Sequence, residues 1–138
     1  MNDTRERHAT VPDPARPGTD KVILTADEMR RAISRIAHEI LERNGGAGDL
    51  VLAGMRQRGL VLAQRLAARI TDLEQAPVSV CQIETARYRD DLAERARPLT
   101  PEPLGVEIAG RVAVLVDDVL FTSRTARAAM DALLDRGR

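Results

Sequence analysis

The sequence predicts an α/β domain, a parallel sheet with helices packed against it. Three observations carry that reading. Residues 112–116 are a run of mostly β-branched apolar residues, followed by a polar bend and then a helix-forming stretch, RTARAAMDALLD. Residues 50–73 pass through the same succession of buried strand, glycine-bounded loop and helix. A further apolar run, residues 78–83, supplies another strand. Continuous apolar strands alternating with helical stretches are the pattern of a parallel sheet covered by helices.

Length and composition bound the rest. The chain has 138 residues, enough for one domain with its own core. Apolar residues make up 43%, and Tyr88 and Phe121 are its aromatic residues, so the core must be aliphatic. Lys plus Arg and Asp plus Glu number 21 each, so net charge gives no sign of a nucleic-acid partner and only local clustering can. The single cysteine, Cys81, excludes an internal disulfide framework and suits a reducing cytoplasm. Within VSVCQI it reads as a buried packing residue. No apolar run approaches the roughly 18 residues of a membrane span, and no signal-peptide core is present. The expectation is a soluble, cytoplasmic protein. His8 and His38 are too far apart to suggest a zinc site, and no G-x-G-x-x-G follows a strand, which leaves a dinucleotide fold unsupported.

In chain order, residues 1–20 are polar, carry Pro12, Pro14 and Pro17, and are expected to be a disordered tail. Residues 22–24 are a short apolar entry that suits an edge strand. Thr25 to Glu28 reads Thr-Ala-Asp-Glu, the form of a capping box. It predicts a helix over residues 26–43, with Met29, Ile33, Ile36 and Ile40 as the buried face. Arg31, Arg35 and His38 fall together on another face, with Ser34 beside them. Such charges fit a solvated surface; clustered arginine also fits phosphate contact with RNA. The lack of interleaved aromatics argues against base stacking there. Residues 44–48 end this helix in a glycine-rich loop. A strand over residues 50–53 leads to Gly54-Met-Arg-Gln-Arg-Gly59 and a helix from Leu60 to Leu73. Arg56 and Arg58 between two glycines suit a pyrophosphate, because glycine admits close backbone approach and guanidinium pairs with phosphate oxygens. Taken alone, the same residues also fit a surface turn. Residues 84–110 are polar, aperiodic and proline-bearing, the pattern of a lid or binding loop. The last helix, residues 124–136, offers Ala128, Met130, Leu133 and Leu134 for packing.

The chemistry concentrates behind the strand at 111–116. Ligands of open α/β sheets lie at such strand ends. Asp117 and Asp118 supply acceptors suited to the vicinal hydroxyls of a ribose. The following helix start offers free N–H groups to a phosphate, and the hydroxyls of Thr122, Ser123 and Thr125 add donors. A sugar phosphate fits the whole stretch.

Val-Leu-Val-Asp-Asp-Val-Leu-Phe-Thr-Ser-Arg-Thr resembles the phosphoribosyl-pyrophosphate (PRPP) loop of the type I phosphoribosyltransferases. The longer DDVLFTSRTARAAMDALLDRGR resembles the pyrimidine-operon attenuator/uracil phosphoribosyltransferase family, PyrR, and the resemblance runs from Val22 to Arg138. It implies a type I phosphoribosyltransferase-like parallel sheet over residues 21–138, with a flexible hood at 84–110. It implies conversion of uracil and PRPP to UMP and pyrophosphate, with Mg²⁺ bound mainly through PRPP and no dedicated protein metal site. Asp117, Asp118 and Arg58 would be the catalytic residues, the acids on the ribose hydroxyls. Thr122, Ser123, Arg124 and Thr125 would clamp the 5′-phosphate. Arg56, Arg58 and Gly59 lie in a stretch that resembles the family's pyrophosphate loop, Gly-Ile-Lys-Thr-Arg-Gly, where the family has a non-proline cis bond. Tyr88 and Arg89 match the hood. The segment RRAISRIAHEILERN resembles the helix that faces messenger RNA, matching at Arg31, Arg35 and His38, and implies pyrimidine-responsive regulation of the pyr operon.

Departures from the family pattern are Gln57 for Thr, Ala86 and Arg87 for Thr-Leu, Phe121 for Tyr, and Ser123 for Gly. The last is expected to weaken PRPP binding relative to a Ser123→Gly variant, since glycine admits φ > 0 and close backbone approach. The family continues with a further strand and an Arg-Gly-His-type base-gripping loop that this sequence lacks. An incomplete domain missing its C-terminal strand or strands is therefore expected. That leaves open an inactive fragment retaining only PRPP or RNA binding, or transfer to another base. An intact member would be expected to form a homo-oligomer.

Overall fold

The computed structural model describes residues 22–84, 105–120 and 123–137. They form α1 (Ala26–Asn44), β1 (Leu50–Met55), α2 (Arg56–Glu74), β2 (Ser79–Ile83), β3 (Val112–Val116) and α3 (Ser123–Arg136). The strands make one parallel sheet in the order β2-β1-β3. The central β1 runs in register from Val51 opposite Ser79 to Met55 opposite Ile83, and from Leu50 opposite Val112 to Gly54 opposite Val116. This is the α/β class that the sequence predicts.

Alternation along β1 divides the core in two. Leu50 and Leu52 pack with Ala37 and Leu41 of α1 and with Ala63, Leu66 and Ile70 of α2. Val51, Ala53 and Met55 pack on the other face with Cys81, Ile83, and Ala129, Ala132 and Leu133 of α3. β3 alternates the same way, Val114 and Val116 toward the first layer, Ala113 and Leu115 toward the second. Because β1 is buried at every position, its sequence is apolar throughout instead of alternating. Cys81 is buried as expected, and desolvation pushes its thiol pKa up against a smaller opposing pull from the Arg136 charge.

Local chemistry sets the ends of α1. The Thr25 hydroxyl accepts from the Glu28 N–H, and the Glu28 carboxylate accepts from the Thr25 N–H at 2.7 Å, completing the predicted box. Gly45 at φ 65° stops the helix, and the Gly46 N–H returns to the Leu41 carbonyl at 3.0 Å.

Several expectations are corrected. Residues 22–24 form no strand; Val22, Ile23 and Leu24 are all exposed and run straight into the cap of α1. The deepest positions on α1 are Ala37 and Leu41, with Ile33 and Ile40 packed beside them, whereas Ile36 is 42% exposed. On α3 the small residues Ala128, Ala129 and Ala132 are buried with Leu133, while Met130 and Leu134 are 49% and 61% exposed. Helix α2 starts at Arg56 rather than Leu60, and β1 extends to Met55. Gly54 is the cause: a Cβ there would lie 2.4 Å from Leu60 Cα, so only glycine lets the strand turn directly into the helix. Within the stretch expected to be a hood, Ile108 is buried and Val106 packs beside it in the second core cluster, so this end belongs to the core. Residues 85–104 lie outside the described residues.

Candidate active site at the sheet's carboxyl edge

The parallel register puts the ends of β1 and β3 side by side. The segments that leave these two strand tips therefore share one cleft of about 900 Å³. Arg56, Gln57, Arg58 and Leu60 line it from the first turns of α2, Asp117, Asp118 and Val119 from the end of β3, Gln82 and Glu84 from the end of β2, and Thr125 from α3. Asp117, Asp118, Arg56, Arg58 and Thr125 are thus brought together from segments far apart in sequence.

Gly59 makes this closeness possible. A Cβ on it would meet the Val116 carbonyl oxygen at 2.4 Å and Asp117 Cα at 3.4 Å. The sequence pattern suggests that Gly54 and Gly59 open the backbone to phosphate. The geometry gives a nearer cause: both let α2 begin against the strand tips.

The start of α2 is built unlike a stability-optimised one. Its N-cap, Met55, makes no side-chain bond, and no acid occupies the first turn. Among the described residues, no side chain accepts from the first-turn N–H groups, and the positive end of the helix dipole adds to the charges of Arg56 and Arg58. Arg56 itself sits at φ 55°, a left-handed conformation that costs a side-chain-bearing residue about 1–2 kcal/mol. The described backbone has no cis peptide bond, so the one implied by the family resemblance is not found; the unfavourable backbone geometry here is the φ of Arg56.

Across the cleft, Arg58 Nη1 reaches Asp118 Oδ2 at 3.4 Å. The Arg58 side chain is 85% exposed, so the pair is weak and both partners are open to exchange. The Asp118 N–H donates to Asp117 Oδ1 at 2.9 Å. Desolvation works to raise the Asp118 pKa, but hydrogen bonds involving Asp117, Arg58 and its own backbone, with the Arg58 charge, outweigh it. The net shift is downward, so Asp118 is ionised at neutral pH.

Gln82 and Glu84 are site residues that the sequence pattern does not single out. Gln82 Nε2 donates to Glu84 Oε1 at 2.7 Å, fixing a carboxylate at the cleft wall. Their position at the carboxyl end of a parallel strand was the available signal. Among the described residues, no three His, Cys, Asp or Glu side chains are grouped to hold a metal. The adjacent Asp117 and Asp118 alone fit a cation that keeps its waters and binds substrate phosphates.

Of the remaining predicted residues, Thr122, Tyr88 and Arg89 lie outside the described residues. Ser123 opens α3, and Arg124 is exposed next to it, one residue before the cleft-lining Thr125. Arg31, Arg35 and His38 are exposed on α1 and form a separate face. The His38 Nδ1–H donates to the Ser34 carbonyl at 2.7 Å.

A parallel sheet with paired acids at one strand tip and a bare, basic helix start beside them suits a phosphorylated sugar. The sequence model of the phosphoribosyl transferase domain family matches residues 21–138. A purine phosphoribosyltransferase from Pyrococcus horikoshii shares the fold, with a TM-score of 0.57 and 24% identity over 83% of this chain and 68% of that one. Sequence likeness narrows the class. The chain is 54% identical over 123 residues to the Bifunctional protein PyrR of Chloroflexus aurantiacus, covering 88% of this chain and 68% of that protein. It is 52% identical over 118 residues to the Bifunctional protein PyrR of Deinococcus deserti, covering 84% and 64%. The chain belongs to the PyrR family, and it spans about two thirds of the length of these relatives.

Proposed function

We propose that the chain carries the PRPP-handling part of a uracil phosphoribosyltransferase, which forms UMP and pyrophosphate, and that it also regulates pyr operon transcription by binding messenger RNA in the cytoplasm. One observation carries the enzymatic reading: Asp117 and Asp118 share a cleft with the uncapped, arginine-bearing start of α2.

In this reading Asp117 and Asp118 accept hydrogen bonds from the ribose hydroxyls, and their charge favours the cationic ring that develops as the sugar–pyrophosphate bond breaks. Arg58 leaves its weak pair with Asp118 and, with Arg56 and the α2 N–H groups, holds the departing pyrophosphate. The start of α3, with Ser123, Arg124, Thr125 and the preceding Thr122, binds the 5′-phosphate, and Tyr88 and Arg89 close over the cleft. Mg²⁺, held through substrate oxygens near Asp117 and Asp118, would supply charge neutralisation of the pyrophosphate. Ser123 weakens PRPP binding relative to glycine. RNA is bound by the Arg31, Arg35 and His38 face, and the protein works as a homo-oligomer.

The test is UMP formation from uracil and PRPP with Mg²⁺. Activity lost on Asp117→Asn with Asp118→Asn supports the reading. Activity that survives both substitutions, or transfer to a purine in place of uracil, overturns it.

A further inference from the structure

The arginines of α1 divide into two groups. Arg30 pairs with Asp27, and Arg43 pairs with Glu39 at 2.9 Å. Arg31 and Arg35, both exposed, make no ion pair among the described residues. Neither do Arg65 and Arg69, on the neighbouring helix α2. A hydrogen bond joins Arg69 to α1: Arg69 Nε donates to the Ser34 hydroxyl at 3.0 Å, across 35 positions of sequence.

Ser34 therefore holds two side chains at once. Its carbonyl accepts from His38 Nδ1, and its hydroxyl accepts from Arg69 Nε. With Nε fixed, Arg69 keeps Nη1 and Nη2, which have no partner among the described residues, in a set plane; phosphate is recognised by such a fork. Arg65 lies one turn earlier on α2, about 6 Å away along the same face.

We propose that the RNA-binding face is built from two helices, with Arg69 and Arg65 of α2 as phosphate contacts and Ser34 as the residue that positions Arg69. This rests on the reading of the Arg31, Arg35 and His38 face as an RNA contact and extends it to side chains that the sequence pattern of α1 cannot show.

The experiment is fluorescence anisotropy of a labelled RNA stem-loop titrated with the full chain at several salt concentrations. Arg69→Gln should weaken binding and make the salt dependence shallower by roughly one unit of slope. Ser34→Ala should weaken binding too, Ser34→Thr should restore it, and Ser34→Ala should add little once Arg69 is already Gln. Arg65→Gln, at an exposed position, should shift binding in the same direction. PRPP binding, read separately, should not move. If Arg35→Ala weakens RNA binding while Arg69→Gln and Arg65→Gln leave affinity and slope unchanged, the two-helix face is wrong and the α1 reading stands. If the unmodified chain shows no salt-dependent RNA binding, the α1 reading falls and this inference falls with it.

Discussion

Helices α1 and α2 are both 19 residues long, and their first turns could hardly differ more. α1 begins with a complete capping box, two acids in the first turn and an Asp27–Arg30 pair in open solvent. α2 begins with an uncapped Met55, two basic residues and a left-handed Arg56. The first start satisfies its own backbone. The second leaves N–H groups unclaimed by any described side chain, places like charges on the positive end of the dipole and accepts an unfavourable φ. Such features persist where surrounding structure enforces them and a ligand uses them. The contrast locates function more sharply than either helix does alone.

Substitutions can break that contrast, and the largest effect is expected opposite the start of α2. Changing Asp117 and Asp118 together to Asn should lower PRPP affinity at least about 100-fold, the scale of lost electrostatic contacts in a preorganised site. Thermal stability should barely move, because the Asp118–Arg58 pair is exposed and weak. Calorimetric titration with PRPP and a melting curve read the two quantities. Unchanged affinity would mean that the bare helix start serves something other than this substrate.

Gly59→Ala comes next and should affect both quantities. The added methyl meets the Val116 carbonyl at 2.4 Å, against rigid backbone, so α2 must move off β3. A loss of about 1–3 kcal/mol is expected from chemical denaturation, with PRPP binding weakened as the two halves of the cleft separate. Stability lost without any loss of binding would detach the cleft from this packing contact.

Arg56→Gly sharpens the comparison because its effects should oppose each other. Removing the left-handed side chain relieves strain and should raise stability by up to about 1 kcal/mol. The same change removes a guanidinium from the phosphate side of the cleft and should weaken PRPP binding. A residue kept for packing would lose stability on removal.

These cases also show what the sequence can tell. The capping box is legible because all its partners lie within four residues. Asp117 and Asp118 are legible because a strand of known direction delivers them to the sheet's edge. The pattern places the start of α2 four residues late because Gly54 is required by a contact with Leu60, and Gly59 by a contact with β3, neither of which a local pattern records. The exposure of Ile36, Met130 and Leu134 escapes it for a related reason: helical periodicity marks an apolar stripe but not how far a neighbour covers it. Among the described residues, Ile36 borders an apolar groove beside β3 on one face of the sheet, and Met130 and Leu134 border a second groove on the other. Gln82 and Glu84 become visible only when β2 is set in register beside β1.

The smallest effects belong to α1 and should be confined to stability. Thr25→Ala removes both the acceptor for the Glu28 N–H and a donor to the Glu28 carboxylate, and should cost about 1 kcal/mol. PRPP binding should stay where it was. Part of that cost depends on pH. The backbone hydrogen bond from Thr25, then that from its hydroxyl, hold the Glu28 pKa below its ordinary 4.5 against a slight opposing desolvation. A carboxyl group lowered on folding contributes stability above its unfolded pKa, and that contribution disappears as pH falls through the folded value. The stability gap between the unmodified chain and Glu28→Gln should therefore be constant near neutrality and narrow from about pH 4.5 downward. Thr25→Ala should flatten the same acid dependence, because it removes the hydroxyl bond and loosens the backbone bond that together set the Glu28 shift. A gap that instead widened in acid would mean that Glu28 is held in its protonated form, and the capping geometry of α1 would have to be redrawn.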